Sequence, residues 1–287
     1  MKTFSGVKKS VTTVAAAAAL ALAALMGAST PANAGNIFLT GHDDDFHSSA
    51  AASAQLAAAL GLVRAGSLLP VLTFDAGTQL TGKLSSLGIS FVNVNPTAAN
   101  LSGAAGAALF NHSLYSAFAV ASVSTCGGCD NPVGTGSILA TQFAAITSFF
   151  NAGGGILGLA GASDINAYAY VPTAATNAGG SPPSSGYVQT AAGLALSIPA
   201  VNGDATHNFF SEPGTSGLSS LFQVVERNGS PLTGIPESVA LVGGTIVCTP
   251  GTPDCVITGG TVPEPGSLAL VGLAVAGLGA LRRRRSS

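Results

Sequence analysis

The sequence predicts an α/β fold: a doubly wound, flavodoxin-like parallel sheet followed by an irregular, β-containing C-terminal extension. Short apolar runs alternate with alanine-rich helical segments, which is the pattern of parallel strands covered by helices on both faces. After Ser163 this alternation ends in a region rich in Pro, Gly and Ser. The predicted strands are 36–40, 68–74, 89–94, 117–123 and 156–160, and the predicted helices are 48–63, 78–87, 98–110 and 137–151.

The helix over 137–151 has the clearest pattern of the predicted elements. Its apolar residues recur near helical spacing and form one stripe, made of Ile138, Phe143, Ile146, Phe149 and Phe150. The glycines at 153–155 end the helix, because glycine enters the left-handed conformation without steric cost. In the extension we expect a long surface loop over 168–187, a short helix or strand over 218–225, and a hairpin between 239–248 and 255–261.

The N-terminus has the three parts of a secretory signal peptide. They are a basic region with Lys2, Lys8 and Lys9, an apolar region over 14–26, and a small-residue cleavage site at Ala32-Asn33-Ala34. We therefore expect export through the Sec translocon and cleavage after Ala34 by signal peptidase. The alternative is a retained N-terminal anchor, which the Ala-x-Ala cleavage pattern disfavours.

The C-terminus has a second apolar segment, which is followed by positive charge. Pro263, Glu264 and Pro265 precede an apolar run over 266–281, and the chain then continues with Arg282, Arg283, Arg284 and Arg285. The apolar run is predicted to enter the bilayer as a transmembrane helix, because a helix satisfies its own backbone groups in hydrocarbon. The arginines are expected to stay on the cytoplasmic side and to stop transfer.

This order of parts resembles the PEP-CTERM sorting signal of exported bacterial proteins. The resemblance implies that an exosortase, a membrane protease-transpeptidase, recognises Pro263-Glu264-Pro265. It also implies a path through the inner membrane to the cell envelope, the cell surface or the extracellular matrix, with exopolysaccharide or matrix as a partner. We therefore divide the chain into a signal peptide (1–34), an exported α/β domain (35–261) and a sorting signal (262–287).

The exported domain is acidic and contains all four cysteines. Residues 35–265 hold three basic residues against all 12 Asp and Glu, so their net charge is near −9, whereas the full chain has −2. A surface of this sign repels phosphate backbones, which excludes nucleic acid as a partner. In an oxidising compartment the cysteines predict two disulfides. Four cysteines allow three connectivities, and we favour Cys126–Cys129 with Cys248–Cys255 because each pair is close in sequence. A redox motif or half of a zinc site is the alternative for the first pair.

The first predicted strand is followed by a polar loop that carries candidate ligands. His42, Asp43, Asp45 and His47 offer the nitrogen and oxygen donors that a transition metal or calcium takes. The loop follows the carboxyl end of a strand, where ligands collect in open α/β sheets. His207 is a further candidate for the same cleft or, alternatively, a structural histidine beside aromatic residues. For the loop itself, the alternative to ligand contact is that an aspartate caps the next helix and the other residues face water.

Two stretches of the chain resemble the class I glutamine amidotransferase-like superfamily, especially its ThuA-like branch. They are NIFLTGHDDDFH and QFAAITSFFNAGGGILGLAGASD, which span parts of Asn36 to Asp164. Members with amidotransferase activity carry a nucleophilic Cys in a tight turn after a strand, where this chain has Gly161. The resemblance therefore implies the fold without glutamine hydrolysis. Ser163 and Asp164 follow this turn and are cleft candidates, without the Gly-x-Ser-x-Gly pattern of serine hydrolases.

Together these patterns predict an exported, non-catalytic α/β domain that acts as a ligand-binding or structural component. This hypothesis assigns no catalytic residue and no cofactor. The alternative is an exported metal-dependent hydrolase, in which the loop after the first strand and His207 hold a divalent metal.

Overall fold

The computed structural model describes residues 34–180, 182–204, 206–215, 217–248 and 255–258. The helices in these ranges are α1 (Ala50–Arg64), α2 (Gln79–Ser86), α3 (Gly103–Ala108), α4 (Thr135–Ala140), α5 (Phe143–Asn151) and α6 (Ala191–Ala195). The strands are β1 (Asn36–Thr40), β2 (Val71–Phe74), β3 (Phe91–Val94), β4 (Ala117–Val120), β5 (Gly155–Gly158), β6 (Asn177–Gly179), β7 (Tyr187–Gln189), β8 (Phe209–Phe210), β9 (Gln223–Asn228), β10 (Ile235–Val242), β11 (Thr245–Cys248) and β12 (Cys255–Thr258).

One large mixed sheet organises the fold. Its strand order is β3-β2-β4-β5-β1-β10-β9-β7. The first five strands in this order pair in parallel, and the last three continue the sheet antiparallel. The prediction of an α/β fold with a large, mostly parallel sheet is therefore confirmed.

The order of the parallel strands departs from the predicted flavodoxin-like arrangement. In that arrangement the first strand lies between the second and the third, whereas here β1 lies beyond β5. The extension is also more regular than predicted, because β10, β9 and β7 join the main sheet. Strand β10 pairs along the whole of β1, from Asn36 opposite Val242 to Thr40 opposite Ser238. This pairing satisfies the backbone groups that β1 would otherwise leave open at a sheet edge.

Two apolar cores lie on opposite faces of the sheet. Successive side chains of a strand point to opposite faces, so Ile37 and Leu39 of β1 enter one core and Phe38 enters the other. Helices α1 and α2 cover the Phe38 face, and α5 covers the opposite face with Phe149 and Phe150. The sheet is thus covered on both sides, as the apolar strands predicted.

Helix boundaries follow local hydrogen bonds that the pattern of apolar residues does not show. Helix α1 begins after Ser49, whose Oγ accepts the Ala52 N–H at 3.0 Å, so a serine and not a loop aspartate is its N-cap. The predicted helix over 137–151 is two helices, α4 and α5, which are separated at Gln142. The Gln142 side chain donates to the Leu101 carbonyl at 2.5 Å and thereby ties this break to the preceding loop.

Several predictions for the extension and the sheet edge were wrong in detail. The segment 168–187 is not a surface loop throughout, because Tyr168 and Tyr170 are each 1% exposed and the Tyr168 hydroxyl donates to the Thr40 carbonyl. Residues 239–242 belong to β10, so the hairpin is confined to β11 and β12. Strand β3 is half-exposed because it is the edge strand of the sheet.

The predicted termini lie outside the described residues. This applies to the signal peptide up to position 33 and to the sorting signal, with its apolar run over 266–281 and its four arginines. Within the described ranges, no helix has the length and apolar character that a membrane crossing requires.

Candidate functional site

Four chain segments meet at the carboxyl edge of the parallel strands. They follow β1, β4 and β5, and the fourth precedes β8. His207 N–H donates to the Gly41 carbonyl at 2.9 Å, and Val123 N–H donates to the Ala160 carbonyl at 2.9 Å. His42 also forms an isolated antiparallel bridge with Thr206. These backbone contacts bring the two histidine-bearing segments together.

The centre of the site is one carboxylate oxygen of Asp43. Its Oδ2 lies 3.2 Å from His47 Nε2 and 3.0 Å from His207 Nε2. One donor atom from each of these three residues lies within 4.8 Å of the other two. Asp43 is 2% exposed and its Oδ1 has no hydrogen-bond partner. The two histidine side chains are 34% and 19% exposed, so the cluster, called here the Asp43 cluster, is open to solvent on its histidine side.

The His47 ring lies between two carboxylates. Its Nε2 faces Asp43, and its Nδ1 lies 2.9 Å from Asp204 Oδ1. A neutral imidazole has only one N–H, so it can donate to one of the two carboxylates while the lone pair on its other nitrogen can bind a cation. Metal-binding histidines commonly donate their second N–H to a carboxylate in this way. The sequence did not single out Asp204 as a candidate ligand or positioning residue.

The structure places His42 and Asp45 outside the Asp43 cluster. His42 is 1% exposed, with Nε2 at 3.1 Å from Glu226 Oε2 and Nδ1 at 2.8 Å from Thr206 Oγ1. Asp45 accepts the N–H and the hydroxyl of Ser122 at 2.8 and 2.6 Å. Burial raises the pKa of Asp45 to about 6, although both bonds from Ser122 act in the opposite direction. These two side chains therefore hold the loops around the cluster in place.

Further buried acids lie behind the cluster. Asp44 and Glu237 are 1% and 0% exposed, and none of their four carboxyl oxygens has a hydrogen-bond partner. Burial, followed by the charge of the nearby Glu226, raises the pKa of both groups well above the usual range. The sequence analysis did not select Asp44, Glu226 or Glu237 as members of the site. A glutamate within an otherwise apolar strand, as in IPESVALV, was the available signal for Glu237.

A cleft of ≈ 520 Å³ lies beside His207. Its walls are formed by Thr125, Ala162, Ser163, Gly179, Gly180, Pro182, Thr206 and His207. The two sequence-derived cleft candidates therefore differ in position. Ser163 lies on the wall, whereas Asp164 is 5% exposed and accepts the N–H groups of Gly134 and Asn166 at 2.8 and 2.9 Å. Asp164 thus organises the backbone next to the cleft.

The turn after β5 has no nucleophile. Ala162 adopts a left-handed conformation with φ 45°, which is strained for a residue with a side chain. The N–H groups of Gly161 and Ala162 donate to Asn208 Oδ1 at 2.8 and 3.2 Å. Because these donors already have a partner, the turn lacks both the reactive atom and the free N–H groups that acyl transfer requires.

A disulfide joins Cys126 and Cys129, with their Cα atoms 5.8 Å apart. Cys129 Sγ lies 3.7 Å from Asp43 Oδ2, so the bridge borders the Asp43 cluster. The register of β11 and β12 places Cys248 opposite Cys255. Their side chains are not among those that the structure describes, and the second bridge stays a prediction.

Residues 261–285 match the PEP-CTERM protein-sorting motif. This motif implies that the chain is exported, processed by an exosortase and associated with the cell envelope. No curated protein and no solved structure matches the chain.

Proposed function

We propose that the exported domain binds one divalent transition-metal ion, zinc by preference, through Asp43, His47 and His207. The observation that carries this proposal is the meeting of two imidazole nitrogens, at 3.2 and 3.0 Å, on one buried carboxylate oxygen. Donors at the corners of a tetrahedral zinc site lie about 3.3 Å apart, because each zinc–ligand bond is about 2.0–2.2 Å long. The two distances from Asp43 Oδ2 are close to this spacing, and the two imidazole donors lie within 4.8 Å of each other.

The electrostatics of the site also favour a cation. Asp44 lies near the carboxyl groups of Asp43, Asp45 and Asp204. Of the basic residues in the described domain, Lys83 donates to the His47 carbonyl and Arg227 pairs with Glu212. Buried carboxylates are costly unless they are protonated, paired or bound to a metal. A divalent ion at the Asp43 cluster would offset part of this cost.

Metal analysis of the full chain tests the proposal. The protein is expressed in an exporting bacterial host, purified in detergent and titrated with zinc by calorimetry. We expect one zinc per chain, which Asp43→Asn and His207→Gln remove. His112→Gln is the matched control, because this histidine packs against Phe149 and lies outside the cluster. A wild-type protein that binds no zinc, or a control that loses as much binding as the ligand variants, contradicts the proposal.

A metal-dependent hydrolase is the second candidate, and the cleft beside His207 favours it. Three protein ligands leave a fourth position for water, which is the arrangement of catalytic zinc sites. Zinc lowers the pKa of such a water and generates a nucleophile near neutral pH. A rate of activated-ester hydrolysis that rises in proportion to the bound zinc, and that is lost in Asp43→Asn, would support this function. A rate no higher than that of zinc in buffer would favour the non-catalytic, ligand-binding or structural role.

For the location, we propose a path in which the Sec translocon and signal peptidase act first, with cleavage after Ala34. Gly35 supports this position, because its N–H donates to the Phe150 carbonyl at 2.8 Å and it is packed into the fold. The run 266–281 would span the inner membrane, with Arg282–Arg285 as the stop-transfer signal, until the exosortase acts at 263–265. The domain 35–261 would then reach the cell surface or matrix and contact exopolysaccharide. Mass spectrometry of the protein from its native host identifies the N- and C-terminal residues of the mature chain. A chain that keeps its signal peptide or its arginine cluster would contradict this proposed path.

For the fold, we propose a flavodoxin-like sheet in permuted form. The order of the parallel strands becomes flavodoxin-like when β1 is counted last. The glutamine amidotransferase-like relationship belongs to the same proposal. The turn after β5 carries Gly161 and the strained Ala162 where members with this activity carry a nucleophilic Cys. We expect no free thiol when the chain is denatured without a reductant. A free, reactive thiol would contradict the loss of this activity.

A further inference from the structure

A second set of metal donors shares Asp43 with the first. One donor atom each from Asp43, Cys126 and Cys129 lies within 4.8 Å of the other two. Both cysteines are engaged in the disulfide, and a disulfide sulfur is a poor ligand because metals bind the thiolate. The cysteines therefore border the metal site in a form that cannot take part in it until the bridge is reduced.

The Cys-Gly-Gly-Cys loop is held against the histidine-bearing loop. Gly128 packs on the ring of Phe46, where an added Cβ would lie 2.3 Å from Phe46 Cζ. The Phe46 ring in turn makes an edge contact with His47 at 5.0 Å between ring centroids. The start of the loop is fixed by the Ser124 N–H, which donates to the Asn131 carbonyl at 2.7 Å. Reduction of the bridge would therefore release two thiols next to Asp43 without moving the loop away.

We propose that the Cys126–Cys129 bridge is a redox switch that changes the donor set of the metal site. The inference rests on the function proposed above. In the oxidised protein the ion is held by Asp43, His47 and His207. In the reduced protein it is held by Asp43 and both thiolates. This second set contains the Cys-x-x-Cys pair typical of zinc sites.

The chemistry of the switch requires a dithiol reductant. A thiolate of the reductant attacks the half-buried Cys126 sulfur, the S–S bond breaks, and the more buried Cys129 leaves as a thiolate beside Asp43. The second thiol of the reductant then resolves the mixed disulfide. Two electrons and two protons pass to the bridge, and the reductant becomes a disulfide. When zinc binds the two thiols, their two protons go to solvent.

Reduction should strengthen binding and change its spectrum. Thiolates are softer ligands than carboxylate or imidazole and favour zinc. We expect the reduced full chain to bind zinc roughly tenfold or more tightly than the oxidised chain. With cobalt as the probe, the reduced protein should show near-ultraviolet thiolate-to-cobalt absorption, and the oxidised protein should not.

The experiment compares zinc and cobalt titrations of the full chain before and after reduction by a phosphine, which is removed before the metal is added. Cys126→Ser/Cys129→Ser should bind with the affinity of the oxidised protein under both conditions. Cys248→Ser/Cys255→Ser is the matched control, because the same reductant also acts on that predicted bridge. This variant keeps Cys126 and Cys129 and should therefore show the full increase in affinity on reduction.

The outcomes separate this inference from the function on which it rests. Equal affinities and no thiolate absorption after reduction overturn the redox switch and leave the Asp43 cluster as a metal site. Binding by neither form overturns both. Binding by the reduced form alone overturns the proposed oxidised site and the exchange of donors, and identifies a thiolate site in its place. A response that disappears in the Cys248/Cys255 variant assigns the effect to the other bridge and overturns the switch.

Discussion

His42 Nε2 lies 3.1 Å from Glu226 Oε2, and this contact joins the parallel half of the sheet to its antiparallel half. His42 follows β1, Glu226 lies on β9, and β10 runs between these strands. Both residues are at most 1% exposed. Glu226 also accepts hydrogen bonds from Gln55, Ser238 and Val201, at 2.9, 2.7 and 2.7 Å. Glu226, on β9, is therefore the shared acceptor that connects this strand to α1, to β10 and to the loop after β1.

We predict that Glu226→Ala lowers the free energy of unfolding by about 3–5 kcal/mol, because it leaves several buried donors without their acceptor. Urea denaturation measures this loss. Glu212→Ala is the matched control, since the Glu212 side chain is 49% exposed and its partner Arg227, which is 8% exposed, keeps a hydrogen bond to the Gly234 carbonyl. Losing this acceptor should cost about 1–2 kcal/mol. Equal losses in the two variants would contradict the role assigned to Glu226.

We predict that Glu237→Gln stabilises the protein at neutral and alkaline pH. Burial raises the pKa of Glu237 in the folded protein, so the folded state holds a proton that the unfolded state releases above about pH 4.3. The contribution of Glu237 to the free energy of unfolding is therefore largest below that pH, and it falls as the pH rises toward the pKa of Glu237 in the folded protein. Glutamine is neutral throughout and avoids this loss.

The measurement for Glu237 is thermal unfolding as a function of pH in the presence of chelator. The difference between Glu237→Gln and wild type should grow as the pH rises above about 4.3, where the unfolded state loses its proton. Glu212→Gln is the control of opposite sign, because Arg227 lowers the pKa of Glu212. Its small stability loss should be present at neutral pH and shrink on acidification. A constant Glu237→Gln difference across this range would rule out the linkage.

We predict that Asp204→Asn weakens zinc binding by about 10–100-fold, because Asp204 orients His47 and increases its basicity. Calorimetric titration of the full chain measures the affinity. Asp130→Asn is the control, since Asp130 accepts the Thr78 and Gln79 N–H groups at 2.7 Å, next to α2. That variant should lose stability and keep its zinc affinity. Unchanged affinity in Asp204→Asn would show that Asp204 does not position the ligand.

We predict opposite stability changes for two glycine-to-alanine substitutions. Gly61 lies in the exposed part of α1 with open space around its Cβ position, so Gly61→Ala should stabilise the protein by about 0.5–1 kcal/mol. At Gly155 of β5 an added Cβ would lie 2.0 Å from the Val63 carbonyl oxygen. Gly155→Ala should therefore cost about 1–3 kcal/mol. Chemical denaturation tests the pair, and stabilisation by Gly155→Ala would contradict the close approach of β5 to α1.

Much of the parallel half could be predicted because its strands are apolar on both faces. All five parallel strands lie within or close to the predicted runs. Strand β10 was not predicted as a partner of β1, since Glu237 and Ser238 resemble solvent-facing residues and are in fact 0% exposed. The pairing of Asn36 with Val242 spans nearly the whole domain. Local periodicity carries no information about such a pairing.

The site could be predicted only where its residues are close in the sequence. Asp43 and His47 are close in the sequence and follow a strand end, which is a recognisable pattern. His207 was a candidate only by its residue type, and the backbone contact to Gly41 brings it to the site. The position of Cys129 beside Asp43 depends on the order of β4, β5 and β1 in the sheet. A sequence without a known strand order does not contain that proximity.

The central position of β1 has a consequence for folding during export. Ile37 pairs with Ile156 on one side and with Leu241 on the other. During export β1 is therefore translocated before the strands with which it pairs, which come from the middle and the end of the domain. Such distant pairing makes folding slow and leaves apolar strands exposed meanwhile. If the C-terminal sorting signal holds the chain at the membrane, as proposed above, the domain has time to fold before it is released.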